Sequence, residues 1–171
     1  AKIESKSYSG EFVDLELVQF IRRFVKNNAH LFVNCRIKVK NPSQSAYPLT
    51  LNPSLMEMLL MNLLTNAIKY NESERPRVEI AFIRRGRKLE VTFSDNGIGF
   101  DKSEIKKIFR KFYQIGNVDS MAAKGSGLGL HLVQIIVRIH KGRITAASKG
   151  PGQGSLFTLT LPLKGHQWKL R

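Results

Sequence analysis

Asn62-Leu63-Leu64-Thr65-Asn66-Ala67-Ile68-Lys69-Tyr70 decides how this sequence is read. It closes a run that opens at Asn52-Pro53, where Asn offers a helix cap and Pro suits the first helical position. The residues between, LMEMLLMNLLTNAIKY (55–70), are apolar nearly all round, which predicts a buried helix. Against that background Asn62, Asn66 and Lys69 stand out. They lie at i, i+4 and i+7, so two amides and an ammonium share one helix face. A buried amide without a partner costs roughly 1–3 kcal/mol. Amide oxygens can ligate Mg²⁺, a hard cation that keeps waters and is shared with phosphates. Lys69 would then meet a phosphate. The same face also reads as a polar stripe at a solvated helix edge, and the stretch alone leaves both readings open.

Upstream, the apolar residues from Leu15 to Val25 recur at helical spacing, with Asp14 as the expected N-cap and Asn27-Asn28 as the exit. CRIKVK (35–40) alternates as a strand does, and PLTLN (48–52) reads as a second short strand after a turn. Downstream, RVEIAFI (77–83) and KLEVTFS (88–94) flank RRGR and predict a hairpin. DNGIGFDKSE (95–104) leaves that hairpin as a loop, and KKIFRKFYQ (106–114) is short and amphipathic. GNVDSMAAKGSG (116–127) is a small-residue loop expected to be mobile. LGLHLVQIIVRIHKG (128–142) is a helix closed by Gly142, and RITAAS and SLFTLTLPL are two last strands joined by KGPGQG. Helices and strands mix without strict alternation. The expected fold class is α/β in the form of an α+β sandwich: a mixed, largely antiparallel sheet of about five strands with three main helices on one face. No repeat or linker divides the chain, so residues 11–171 are expected to form one domain, with 1–10 as an appendage.

Three further stretches carry chemistry. In Asp95-Asn96-Gly97-Ile98-Gly99-Phe100 the alternate glycines let backbone approach a ligand, and an Asp there can accept a hydrogen bond from an amino group. Asp-Asn-Gly is also ordinary turn chemistry. Gly125-Ser126-Gly127-Leu128-Gly129-Leu130 runs into a helix, where free N–H groups and the dipole favour phosphate. Its spacing is not that of a dinucleotide-binding fingerprint, and no Lys-Ser/Thr follows to make a P-loop. In Phe109-Arg110-Lys111-Phe112 the paired Phe read as core, with Lys111 able to reach an anion.

In this order and spacing, the Asn62/Asn66 helix, DNGIGF, FRKFYQ, GSGLGL and the glycine-rich turn into SLFTLTLP closely resemble the catalytic ATP-binding domain of bacterial sensor histidine kinases. These belong to the GHKL superfamily (the Bergerat fold) with gyrase, Hsp90 and MutL. The resemblance spans about residues 11–163. It implies that Asp95 binds the adenine amino group, with Gly97 and Gly99 shaping the floor and Ile98 touching the base. It implies Mg²⁺ on Asn66 with Asn62 nearby, phosphate at Lys69, Tyr70 along the nucleotide, and Lys111 at the γ-phosphate. Gly125, Gly127, Leu128, Gly129 and Leu130 would form the phosphate side of a mobile ATP lid over roughly residues 114–126. Ser155 would lend a hydroxyl to the adenine Asp. ATP-hydrolysing relatives carry a Glu four residues before the metal Asn; here that place is Asn62, which favours a histidine kinase with Asn62, Lys69 and Lys111 serving transfer. The implied ligands are ATP and Mg²⁺. The implied partners are a histidine-bearing dimerisation domain of the parent protein and the receiver domain of a response regulator, in the cytoplasm. Residues 1–8 would be the end of the dimerisation helix. His30, His131, His140 and His166 are followed by Leu, Leu, Lys and Gln, so none fits the phosphoacceptor pattern of His then an acid. The alternatives are another GHKL ATPase or anti-sigma-type serine kinase, and a basic nucleic-acid-binding module.

Composition agrees with a folded domain: 171 residues, 42% hydrophobic. The single Cys35 excludes an internal disulfide. No uncharged run is long enough to span a bilayer, and the polar AKIESKSYSG start is not a signal peptide, so no membrane contact is expected. The net charge is +15. Residues 101–171 hold 13 of the basic groups and 3 of the acids, with no acid after Asp119. Most of these cations, including Lys164 and Lys169, read as a solvated basic face for docking or solubility rather than for nucleotide, and no nucleic-acid motif accompanies them.

Overall fold

The oily run becomes helix α2, Pro53–Lys69. Asn52 caps it, its side-chain oxygen accepting the Leu55 N–H at 3.0 Å, and Pro53 opens the first turn. Leu55, Met56, Leu59, Leu60, Leu63, Leu64 and Ala67 are buried. The computed structural model describes residues 10–115 and 127–164. Two more helices flank α2: α1, Leu17–Asn27, and α3, Gly129–Ile139.

The strands are β1 (Val13–Glu16), β2 (Arg36–Lys40), β3 (Pro48–Leu51), β4 (Arg77–Arg85), β5 (Lys88–Asp95), β6 (Arg143–Ala147) and β7 (Ser155–Pro162). Five form one sheet in the order β2-β4-β5-β7-β6, in which only β2 and β4 run parallel. Alternation does the sorting. Val78, Ile80 and Phe82 of β4 and Leu89, Val91 and Phe93 of β5 face inward, joining the helices in one core. Arg36, Lys38, Arg77 and Glu79 lie on the other face. The expected mixed, largely antiparallel five-stranded sheet is therefore present.

Two local expectations are corrected. Asp14 does not cap α1; Val13–Glu16 is a strand paired with β3, a second sheet that the sequence reading omitted. Glu16 is the cap: its carboxylate accepts from Val18 N–H (3.0 Å), Gln19 N–H (2.8 Å) and, across the loop, Tyr47 N–H (3.1 Å). Asp14 instead accepts from the Thr50 hydroxyl at 2.7 Å and pairs with Lys164. These partners hold its pKa below the ordinary value, the Lys164 bond first. Lys164 is thus a clasp on the small sheet rather than part of a free basic face. Gly142 closes α3 as expected, its N–H donating to Val137 O at 2.9 Å, while the left-handed residue of that turn is Lys141 (φ 58°). Gly142 serves close packing: a Cβ there would stand 2.6 Å from the Thr160 carbonyl oxygen.

His140, buried after α3, ties that helix to the start of α2. Its Nε2 accepts the Asn52 N–H at 3.0 Å, which places the ring proton on Nδ1, donated to Ile136 O at 2.8 Å. Desolvation lowers its pKa from 6.5, against the Ile136 carbonyl, which raises it. Because the folded pKa is depressed, this stability is complete above the unfolded value and is lost as pH falls through the folded one. Thermal melts between about pH 7 and pH 5 should show Tm declining with acid, and His140→Gln, which keeps an acceptor without a titrating ring, should flatten that decline. Equal slopes in both proteins would refute the latch.

Candidate functional site

A cavity of about 250 Å³ opens between α2, the end of β5, the start of α3 and β7. Its wall brings together Asn62, Asn66, Lys69 and Tyr70 from α2 and its exit, Asp95, Ile98 and Gly99 from the first glycine box, Gly127, Gly129 and Leu130 from the second, and Ser155. Helical spacing explains the first set. A strand end followed by a turn explains the second.

Asp95 is held by backbone. Its Oδ1 accepts the Gly97 N–H at 2.8 Å and the Ser155 N–H at 3.2 Å. Ser155 therefore supports Asp95 through its main chain, where a hydroxyl was expected. Oδ2 has no protein partner among the described residues. Burial raises the Asp95 pKa above 3.8, with the two backbone bonds pulling the other way. The result is a desolvated carboxylate with one oxygen pinned and the other open to a donor.

The glycines are needed for approach. A Cβ on Gly97 would stand 2.5 Å from Tyr70 O, which accepts the Ile98 N–H at 2.9 Å. Gly99 (φ 61°) lies 2.5 Å, measured from an added Cβ, from Gly150 O. The box is laced to the β6–β7 turn by Gly152 N–H to Ile98 O (2.6 Å) and Gly154 N–H to Gly97 O (3.1 Å). Ser148 completes the knot: its hydroxyl donates to Gly154 O at 2.7 Å and accepts the Phe100 N–H at 3.2 Å.

At the other end Asn62 Nδ2 donates to Met58 O at 2.7 Å, leaving Oδ1 directed at the first turn of α3, 3.0 Å from where a Cβ on Gly129 would lie. The Asn66 side chain lines the cavity with no protein hydrogen bond among the described residues. Lys69 Nζ lies 5.2 Å from the Tyr70 ring centre. Among the described residues no side chain caps α3, which leaves its first N–H groups facing the cavity end where an anion would sit.

Some expected residues are elsewhere. Lys111 is exposed, with Nζ 5.1 Å from the Phe112 ring centre, and is not in the cavity wall. Phe109 meets the core expectation, edge-on to Phe157. Phe112 does not: it is 66% exposed at φ 65°, its backbone packed against Gly127. Gly97 and Leu128 are not in the wall; Leu128 stands at the N-cap of α3. Of the expected lid over roughly residues 114–126, residues 116–126, Gly125 among them, lie outside the described residues. Sequence reasoning passed over Thr65, Phe100, Ile108, Tyr113 and Phe157, which add to the wall. Phe157 was findable, since it shares the inward face of β7 with Ser155 at period 2. Tyr113, whose hydroxyl donates to Glu104, carries no such signal.

A family model described as histidine kinase-, DNA gyrase B- and HSP90-like ATPase matches residues 52–165. The chain is 33% identical over 129 residues to the sensor-like histidine kinase SenX3 of Mycolicibacterium smegmatis, covering 75% of this chain and 33% of the relative. It is 31% identical over 161 residues to the sensor protein kinase WalK of Staphylococcus haemolyticus, covering 93% and 26%. The chain thus spans about a third or less of these relatives. Among solved structures, the mycobacterial sensor histidine kinase MprB superposes with TM-score 0.76 at 20% identity, covering 90% of this chain and 99% of that one. The catalytic domain of histidine kinase ThkA gives 0.74 at 22%, covering 89% and 97%. At such identity these two speak for the fold.

Proposed function

Given that the chain belongs to the family of histidine kinase-, DNA gyrase B- and HSP90-like ATPases, we propose that its cavity binds Mg·ATP and donates the γ-phosphoryl to a histidine on a dimerisation domain of the parent protein. The observation that carries this reading is the distribution of carboxylates. Among the described residues the cavity wall has one, Asp95, held by backbone at the glycine-box end. The amide face of α2 has none. A site without a base beside its phosphate end activates water poorly and keeps the phosphoryl for a protein acceptor.

Each residue then has a task. Asp95 Oδ2 accepts the adenine amino group, and Ile98, Phe100 and Phe157 exclude water around the base. Lys69 and the first N–H groups of α3 neutralise the phosphates. The donor set fits Mg²⁺: Asn66 offers an unpartnered amide and Asn62 an outward oxygen, both neutral and hard. Mg²⁺ commonly takes one or two protein oxygens and completes its shell with phosphates and water. When bound it would supply charge neutralisation. The β,γ-bridging P–O bond breaks, ADP leaves with its electron pair, and a neutral imidazole nitrogen forms the new N–P bond. A receiver domain of a response regulator would take the phosphoryl next, in the cytoplasm where ATP is supplied. No described helix is long and apolar enough to cross a membrane.

The test is twofold. A fluorescent ATP analogue should bind the chain, and ATP alone should be hydrolysed slowly. Adding a cognate dimerisation domain should yield Mg-dependent, acid-labile phosphate on that domain. Fast hydrolysis without a partner, or acid-stable phosphoserine on the partner, would replace this reading with an ATPase or a serine kinase.

A further inference from the structure

The outer face of the sheet holds a second concave site that nucleotide binding does not use. It is a groove of about 680 Å³ between β2, β4, the end of β5 and the turn at Gly152-Gln153. Arg36, Lys38 and Arg77 line it. Arg36 and Arg77 are register partners across the parallel pair. Their stems therefore start about 4.8 Å apart, with Lys38 about 6.6 Å further along the strand. Like charges set opposite one another destabilise a sheet. Glu79 and Asp95 also line the groove, but among the described residues neither pairs with these three cations. Glu79 is engaged by Lys40 at 2.7 Å. The Asp95 carboxylate accepts from the Gly97 and Ser155 N–H groups. Among the described residues the side chains of Arg36, Lys38 and Arg77 make no hydrogen bond or ion pair.

Charge on an edge strand also guards against aggregation. Scattered lysines suffice for that. Two arginines side by side present planar forks that match phosphate oxygens, which lysine does not.

We propose that this groove is a second anion site, taking a phosphate or diphosphate group of a small molecule. The Arg36 and Arg77 guanidiniums grip its oxygens, Lys38 adds charge, and Ser94 and Gln153 offer neutral donors at the rim. The two cavities meet at Asp95, which lines both. The proposal does not depend on what the first cavity binds.

The experiment fills the first cavity of the full chain with AMPPNP, then titrates inorganic pyrophosphate at physiological salt while following backbone amide resonances. Saturable shifts are expected at Arg36, Arg77, Ser94 and Asn96. The double variant R36Q/R77Q should bind pyrophosphate at least about tenfold more weakly. Its circular dichroism and its AMPPNP affinity should match wild type, since both side chains are on the solvent face. Shifts that scatter over the basic surface without saturating, or that survive R36Q/R77Q, overturn the proposal. So does a short DNA duplex or acidic peptide that saturates these amides where pyrophosphate does not. If AMPPNP itself fails to bind, the nucleotide reading fails, and the pyrophosphate titration still reports on the groove through the same amides.

Discussion

Replacing Asp95 with Asn should raise the melting temperature and weaken nucleotide binding at least about 100-fold. Both effects come from one geometry. Asp95 Oδ1 accepts two backbone N–H groups, from Gly97 and Ser155. An Asn must keep its oxygen there, so its NH₂ takes the place of Oδ2. That turns the acceptor facing the adenine amino group into a donor, and two donors meet. The stability gain arises because a desolvated charge is removed. The carboxyl pKa is raised, chiefly by burial. Stability tied to its neutral form is therefore present below the unfolded value and lost as pH rises through the folded one. Above the folded pKa the wild type carries the whole penalty and the variant none. Each ~1 kcal/mol recovered should raise Tm by about 2–4 °C in a chain of this size. The Tm difference should narrow as the pH is lowered toward the Asp95 pKa. Scanning calorimetry at several pH values, with a fluorescent-nucleotide titration, measures both. An Asp95→Asn protein that binds as wild type would remove Asp95 from the base-recognition role.

Gly154→Ala should destabilise the fold by about 2–5 kcal/mol and reduce nucleotide affinity with it. Gly154 has φ 71°, and an added Cβ would overlap the carbonyl oxygen of Asp95. Left-handed strain accounts for about 1–2 kcal/mol. The overlap is with backbone, so the strand end itself must move, and it carries the pinned carboxylate. Gly86→Ala separates the two contributions. Gly86 has φ 61° in the β4–β5 turn, with nothing within 4 Å of an added Cβ. It should show the strain alone and bind nucleotide normally. Equal urea midpoints for the two variants would mean that contact with Asp95 costs nothing.

How much of this was legible in sequence depends on how local each cause is. The face of α2 was legible, because i, i+4, i+7 on a helix needs no other part of the chain. So were β4, β5, β6 and β7, whose alternation and turn residues are self-contained. β1 was not. The stretch from Asp14 was read as a helix start because Asp14 offers a cap and Leu15 joins the apolar spacing of α1. The strand exists because β3, more than thirty residues on, pairs with it, and because Glu16 can reach both α1 and Tyr47. The role of Ser148 was invisible for a similar reason. Its bonds go to residues 2, 6 and 48 positions away, and only the longest of these explains why it matters to the site.

The sequence by itself determined the helix that carries Asn62, Asn66 and Lys69 and the two glycine boxes, since each is written in short-range spacing, and their order along the chain carried the resemblance to the family. Only the tertiary structure decided which of the marked residues meet. It brought Asp95 to Ser155 across the β5–β7 pair and Asn62 to Gly129 across the α2–α3 contact, and left Lys111 in solvent. It also set Arg36 against Arg77 on the far face of the sheet. Strand order and register are long-range pairings, and they fix which distant side chains become neighbours; spacing along the chain carries no record of them.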